Sequence, residues 1–331
     1  MFSLELEFKI QNLLLASPVT GRAAMTPKAP AAATPDGTPA ISDDTLFVWD
    51  FDWTVINCNS DEYIPAQFLG NQDTADGFRE LYSQGLDWHS CVEIMVGRAI
   101  DEKGATPDSI LESAKKMPFL TQVRGAIEDI ATGKDGSIGQ MILSDGNTLF
   151  ISAFLEANGM ADSFSHGIIS NAGTFDGPGN RLRVVHQSAK YGGHSCGRCT
   201  HTPNLCKTQA LTDKLTQLVG SGQRSQRPRI AYIGDGANDA CPALNVLKEG
   251  DVFLARAGFR RLEANARSGP ETDEEAKDIS NGRKCTPFAI LNVLQEAEES
   301  GDVPTARVMQ WETGSELRSL VKECLGVFTS D

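Results

Sequence analysis

The run Leu46-Phe47-Val48-Trp49 is wholly apolar and stops abruptly at Asp50. A strand apolar on both faces belongs between helix layers, the setting of a parallel sheet. Three similar runs follow at 140–143, 230–233 and 252–254, each ahead of a polar or glycine-rich turn. Helical patterns follow the first three runs. The alternation predicts an α/β fold with a doubly wound, Rossmann-type parallel sheet and ligands at the carboxyl ends of its strands.

Residues 55–140 hold no convincing strand. Five helix-forming stretches fill them, around 61–69, 75–84, 92–99, 107–116 and 122–132. They predict a helical insertion over 61–132, with its last helix returning to the sheet, and a core made of 45–60 and 133–331. From Arg22 to Ala40 the chain is mostly Ala, Pro and Thr. Such a stretch has no large side chains to offset its ordering entropy, so 1–44 is expected to be a disordered tail. Residues 166–187 predict a hairpin with a glycine-rich turn. Near the C-terminus a helix is expected at 288–297, a strand at 308–311 and a last helix from Thr313. Thr313 and Glu316 form a capping-box pattern.

Charge narrows the function classes. The net charge is −14, from 30 basic and 44 acidic residues. A chain this acidic repels phosphate backbones and anionic lipid, so neither nucleic acid nor a membrane surface is an expected partner. An anionic substrate would need a local remedy: a metal ion, helix N-termini or a placed cation. No apolar run approaches the ~20 residues that span a bilayer. Glu5 and Glu7 sit where a signal peptide would be basic. Eight cysteines are too few for a disulfide scaffold at this length, so reduced thiols and a cytoplasmic location are expected.

Four constellations carry chemistry. Asp50 and Asp52 lie two apart at a strand end. Read alone they are either a helix cap followed by a surface acid, or a pair that needs a cation or a shared proton. Gly234-Asp235-Gly236-Ala237-Asn238-Asp239 follows another strand and brings two more carboxylates. In a parallel sheet these ends share one edge, so four acids converge into an oxygen-rich nest suited to Mg²⁺. Ser144-Asp145-Gly146-Asn147-Thr148 offers a hydroxyl and backbone N–H groups at a helix start, a phosphate cradle. Lys207, ahead of a helix at 208–219, supplies the positive charge that a dianion requires.

D-F-D-x-T, a strand-end serine, a following lysine and G-D-G-x-N-D, in that order, resemble the motifs of the haloacid dehalogenase superfamily of phosphotransferases. Further stretches resemble its phosphoethanolamine/phosphocholine phosphatase branch, which is related to pyridoxal phosphate phosphatases. These are Asn59-Ser60-Asp61, Ile142 to Thr148, Ser170-Asn171, His194-Ser195-Cys196-Gly197-Arg198-Cys199, Pro203 to Lys207, Gly234 to Pro242 and Trp311-Glu312-Thr313. The resemblance covers roughly Thr45 to Cys324. It departs from the pattern at Trp53, Cys58 and Gly146, and Thr200-His201-Thr202 lengthens the stretch before Pro203.

The resemblance implies a phosphatase in which Asp50 attacks phosphorus and Asp52 serves as general acid and base. It implies Mg²⁺ held by Asp50, the Asp52 carbonyl and Asp235. Asp239 is either a further ligand or an outer carboxylate that orients waters or Lys207. Ser144, Asn147 and Lys207 would bind the phosphoryl group, and the insertion would close over it as a cap. A cationic leaving group would need a carboxylate outside the metal site. Asp145 and Asp61 are the candidates, unless Asp145 simply caps the helix that follows. The expected partner is a small phosphorylated amino alcohol; a pyridoxal phosphate or phosphoserine phosphatase is the rival, and a non-catalytic metal-binding scaffold the different-class rival. No sequence feature identifies a protein partner.

His194, Cys196, Cys199, His201 and Cys206 fall within a short stretch. Cys-x-x-Cys with a third Cys and a His meets the ligand arithmetic of a structural zinc site, for which His194, Cys196, Cys199 and Cys206 are the candidates. The other reading is a packed or redox-labile loop. His166 and His186 are expected to be structural, and Trp49 to be core.

Overall fold

The computed structural model describes residues 45–132, 138–194, 196–199, 204–221, 226–259, 286–287 and 289–329. The expected tail at 1–44 and His201 lie outside them. Strand β1 (Thr45–Trp49) is buried along its whole length. It pairs in parallel with β2 (Ile138–Asn147) on one side and β5 (Arg229–Gly234) on the other. Beyond β2 lie β3 (Ile168–Asp176) and β4 (Arg181–Val185); beyond β5 lie β6 (Val252–Arg256) and β9 (Arg307–Trp311). All pairs are parallel except the β3–β4 hairpin at the edge. The chain winds outward through β2 to β4 and then returns to β5 on the far side of β1. The β1–β5 boundary is therefore the topological switch point, where parallel sheets bind ligands. A two-strand ribbon, β7 (Gly258–Phe259) with β8 (Thr286–Pro287), stands apart from the sheet.

The apolar runs serve two cores at once. Phe47 and Trp49 face one core with Ile142, Ala231 and Ile233, while Leu46 and Val48 face the other with Met141, Leu143, Ile230 and Tyr232. Period-two alternation of strand side chains produces this division. Each such large apolar side chain contributes roughly 1.5–3 kcal/mol by burial. The second face is covered by α7 (Lys207–Gly220), α8 (Ala237–Asn245) and α9 (Ala289–Glu299), through Leu211, Leu215, Ala240 and Ile290.

Helices α1 (Ser60–Leu69), α2 (Asn71–Ser83), α3 (Trp88–Lys103) and α4 (Pro107–Ala114) pack on one another, with α3 also against β4, and their apolar side chains join the first core's cluster. Caps set their starts: Asn59 accepts from the Glu62 amide, Asp87 from Ser90, and Thr106 and Ser109 close a capping box. Helix α5 (Thr121–Ala131) packs instead on β2 and on the C-terminal α10 (Gly314–Thr329). Arg318 of α10 binds Asp129 of α5 through two hydrogen bonds of 2.7 and 2.9 Å. The Thr313–Glu316 capping box forms at the start of α10. Among the described residues no helix is long and apolar enough to cross a membrane.

One boundary differs in a way that matters. The run at 140–143 is expected to end at Leu143, but β2 continues to Asn147. Its ladder with β3 breaks after Leu143 and resumes at Asn147 paired with Asn171. Ser144, Asp145 and Gly146 therefore lie in an irregular stretch of strand, with backbone groups released from the ladder. The helix start falls one step later, at α6 (Thr148–Ala157), capped by Asn147 accepting from the Phe150 amide at 3.1 Å. Asp145 is thus not the cap of that helix.

Candidate active site

Asp50 leaves the sheet at the switch point, where its amide donates to the Ile233 carbonyl at 2.9 Å. That bond places the Asp50 carboxyl beside the turn that carries Asp235. Carboxylate oxygens of Asp50, Asp235 and Asp239 lie within 4.8 Å of one another, and all three residues are buried. Lys207, also buried, sets its Nζ 2.7 Å from Asp50 Oδ1 and 2.7 Å from Asp239 Oδ1. Burial acts to discharge this lysine, but Asp239 and Asp50 outweigh it and hold its pKa above the ordinary value. Burial pushes Asp50 up to about 7 against the pull of Lys207, with Asp239 and Asp145 adding to the rise. Three buried carboxylates thus cluster with one buried ammonium, which bridges two of them. That donor set suits a hard divalent cation, which would relieve the excess negative charge.

Every oxygen of Asp239 is engaged. Oδ1 accepts from Lys207 and, at 2.7 Å, from the Tyr232 hydroxyl; Oδ2 accepts from the Asp235 and Gly236 amides at 3.2 and 2.9 Å. Of the two roles open to Asp239, this arrangement favours orienting Lys207 and the turn over direct ligation. Gly234 makes room for it, since a Cβ there would overlap the Asp239 carboxyl. Asp235 has a further contact, from the Thr54 hydroxyl at 3.4 Å.

Asp52 turns toward the insertion. Its Oδ1 accepts from the Ser60 amide at 2.8 Å and its Oδ2 from the Ser60 hydroxyl at 3.2 Å, at the N-terminus of α1. Burial, then Asp61, raise its pKa well above the ordinary range despite these bonds. Asp61, in the first turn of α1, is 2% exposed and accepts from Trp88 Nε1 at 2.8 Å. Burial pushes it up to about 7. Gly146 lies beside this group. A Cβ there would sit 3.4 Å from Ser144 Oγ and 3.6 Å from Asp52 Oδ2, ordinary contact distances.

Ser144 is fully buried, and its hydroxyl accepts from the Gly146 amide at 3.1 Å. The Asp145 carbonyl is held by Asn171 Nδ2 at 2.7 Å and lies 3.0 Å from His89 Nε2, while Asn204 Nδ2 reaches the Asp145 carboxylate at 3.3 Å. Burial lowers the His89 pKa against the opposing pull of Asp145, and Asn171 Nδ2 also lies 3.2 Å from His89 Nε2. Trp53 adopts φ 56°, in the left-handed region; its amide donates to the Cys58 carbonyl at 3.1 Å and its carbonyl accepts from the buried Arg256. Its ring packs on the α7-side core.

Several of these groups escaped the sequence. His89, Trp88, Arg256 and Tyr232 carry no motif, and their partners lie 7 to 203 residues away, while Asn204 sits in the recognised Pro203 to Lys207 stretch without an assigned task. Asn171 belongs to a recognised motif without an assigned task. The zinc candidates also regroup. Cys196, Cys199 and Cys206 gather, but His194 Nε2 lies 2.8 Å from the Asn204 carbonyl, and Cys241 of α8 comes within 3.8 Å of Cys199. His186 stacks edge-on against His89, with ring centroids 5.0 Å apart.

The model of a family described as putative phosphatase matches residues 45–271. The pyridoxal phosphate phosphatase of Mus musculus is 34% identical over 65% of this chain and 83% of its own length. The phosphoethanolamine/phosphocholine phosphatase of Homo sapiens is 31% identical over 85% and 89%, and inorganic pyrophosphatase 2 of Arabidopsis thaliana 28% over 78% and 88%. A solved phosphoserine phosphatase covers 65% of this chain and 87% of its own at 14% identity and a TM-score of 0.42, too distant to argue from. The chain belongs to the putative phosphatase family, whose model covers more than half of it, and its relatives are named phosphatases.

Proposed function

We propose that the protein is a Mg²⁺-dependent phosphomonoesterase acting through an aspartyl phosphate on small phosphorylated amino alcohols such as phosphocholine or phosphoethanolamine. The observation that carries the reaction is the buried group of Asp50, Asp235 and Asp239 around Lys207. Asp50, Asp235 and the Asp52 carbonyl would hold the ion, which when bound supplies charge to offset repulsion between nucleophile and phosphate. Asp50 attacks phosphorus. Asp52, whose raised pKa keeps a proton available, donates it to the departing oxygen and then takes one from the attacking water. Lys207 and Ser144 bind phosphoryl oxygens, with Asn147 holding the helix start beside them. Helices α1 to α4 form the cap over this cleft within the 61–132 insertion, and the His89 bond to the Asp145 carbonyl ties cap to core.

The substrate class rests on the leaving-group side. Asp61 offers a carboxylate beside the Trp88 indole, Asp145 one held by Asn204, and the charges acting most strongly on Asp52 and Asp61 are acidic. Such a lobe suits an ammonium group. Pyridoxal phosphate is the second reading, favoured by the 34% identity to a phosphatase named for it. Phosphate release from phosphocholine, phosphoethanolamine, phosphoserine, pyridoxal phosphate and pyrophosphate, with and without a chelator, tests both. Turnover that survives chelation rejects the metal-dependent reading. A preference for pyridoxal phosphate over both amino alcohols rejects the substrate class.

A further inference from the structure

Beyond the acid cluster, a second group of metal-ligating side chains stands at the starts of the same two helices. Cys199 Sγ lies 3.1 Å from Cys196 Sγ, 3.7 Å from Cys206 Sγ and 3.8 Å from Cys241 Sγ. The sulfurs of Cys196, Cys199 and Cys241 are all within 4.8 Å of one another. Zinc bonds thiolate sulfur at about 2.3 Å, so a tetrahedron of four has edges of about 3.8 Å. Two of the three distances match that edge. Cys206 and Cys241 are buried and Cys196 and Cys199 half-buried, so an ion among them would be largely shielded from water.

The sulfurs also have the surroundings of thiolates. Amides of Arg198 and Cys199 donate to Cys196 Sγ at 3.4 and 3.3 Å, and the Gln209 amide donates to Cys206 Sγ at 3.5 Å. Backbone N–H groups aimed at sulfur stabilise the anion that metal binding requires. Three lines of chain converge: the 196–199 segment, the cap of α7 at Cys206 and the second turn of α8 at Cys241. Cys206 precedes Lys207, and Cys241 follows Asp239 by two residues.

We propose that Cys196, Cys199, Cys206 and Cys241 bind one structural zinc ion as four thiolates, tying the 196–199 segment to the starts of α7 and α8. His194 is the competing ligand: its Nδ1 is buried without a hydrogen-bond partner, and a ring nitrogen lies within 4.8 Å of the Cys199 and Cys206 sulfurs. The thiol set is preferred because Cys241 approaches Cys199 Sγ at 3.8 Å, the edge expected of a four-thiolate tetrahedron. No step of the phosphatase reaction enters this proposal, so it stands or falls separately from the reading above.

The test is elemental analysis of the full-length chain, purified without a metal-affinity tag and dialysed against EDTA. One zinc per chain is expected. Folded protein holding only trace zinc overturns the proposal, as does an intact mass two hydrogens lighter, the sign of a Cys196–Cys199 disulfide. Titration of the native protein with p-hydroxymercuribenzoate, read with a zinc dye, needs no variant to fold. Release completed on modification of four thiols is expected, and release complete after three overturns the four-thiolate set. His194→Ala should keep its zinc and Cys241→Ser should lose it; the reverse pattern makes His194 the ligand and overturns the assignment.

Discussion

The two ends of the cleft are built on opposite electrostatic plans. At the phosphoryl end, Asp50 and Asp239 share a buried ammonium, and Asp239 has every oxygen engaged. At the proposed leaving-group end, burial raises both Asp52 and Asp61, Asp61 adds to the rise of Asp52 and Asp145 to that of Asp61, and neutral donors from Ser60, Trp88 and Asn147 oppose it. The first end is prepared for an anion and its counter-ion. The second is held short of positive charge until a ligand brings it. Core strands and helix starts carry the first, while Asp61 and Trp88 of the second lie on helices α1 and α3; on the proposed function, chemistry and selectivity would then fall to separate pieces of chain.

Substitutions can break this contrast. The largest effect is expected for Asp50→Asn, which removes the nucleophile and should lower turnover by roughly ten-thousandfold or more with an unchanged circular dichroism spectrum. Substantial phosphate release by a clean preparation would remove Asp50 from its role. Lys207→Met leaves Asp50 and Asp239 buried without their partner, and loss of one member of such a group costs about 3–5 kcal/mol. Urea denaturation should register that loss; a midpoint near wild type would mean the ammonium is not what holds the site. Asp52→Asn should slow turnover about 10²–10⁴-fold and let a phosphoenzyme accumulate, visible by acid-quench labelling.

Smaller effects sharpen the contrast. Asp61→Asn should raise KM for phosphocholine about tenfold to a hundredfold, and hardly at all for an uncharged aryl phosphate. Because Asp61 is pushed up to about 7, its carboxylate predominates only above that pH. Preference for the cationic substrate should therefore grow between pH 6 and pH 8 in wild type and stay flat in Asp61→Asn. Stability runs the other way. A raised folded pKa favours the protonated fold, and that advantage is lost as pH rises through about 7, so Asp61→Asn should be the more stable protein at pH 8. Equal KM changes on both substrates would reduce Asp61 to a structural role.

The strands were readable because their signal is local: a short apolar run bounded by charge needs no knowledge of what lies beside it. Asp50, Asp235 and Lys207 were readable because each sits at the end of such a run or the start of a helix. The leaving-group side was less so. For Asp145 the sequence left open both a leaving-group carboxylate and a helix cap; the broken ladder carries β2 on to Asn147 and puts the cap there. His89 reaches Asp145 across 56 residues, and Cys241 reaches Cys199 across 42. Those meetings depend on sheet order, which brings β5 beside β1 and the start of α8 beside that of α7. No periodicity within a window of the sequence reports that order.

Two glycines divide the paths open to change in this protein. Gly234 faces the Asp239 carboxyl with no space for a methyl group, so nearly any replacement disrupts the anchor of Lys207. Gly146 faces Asp52 and Ser144 across ordinary contact distance, and a methyl group fits. A side chain at position 146 can therefore be added next to Asp52 and Ser144 without displacing either. Position 234 has no such room, because a Cβ there would have to push the Asp239 carboxyl away from Lys207.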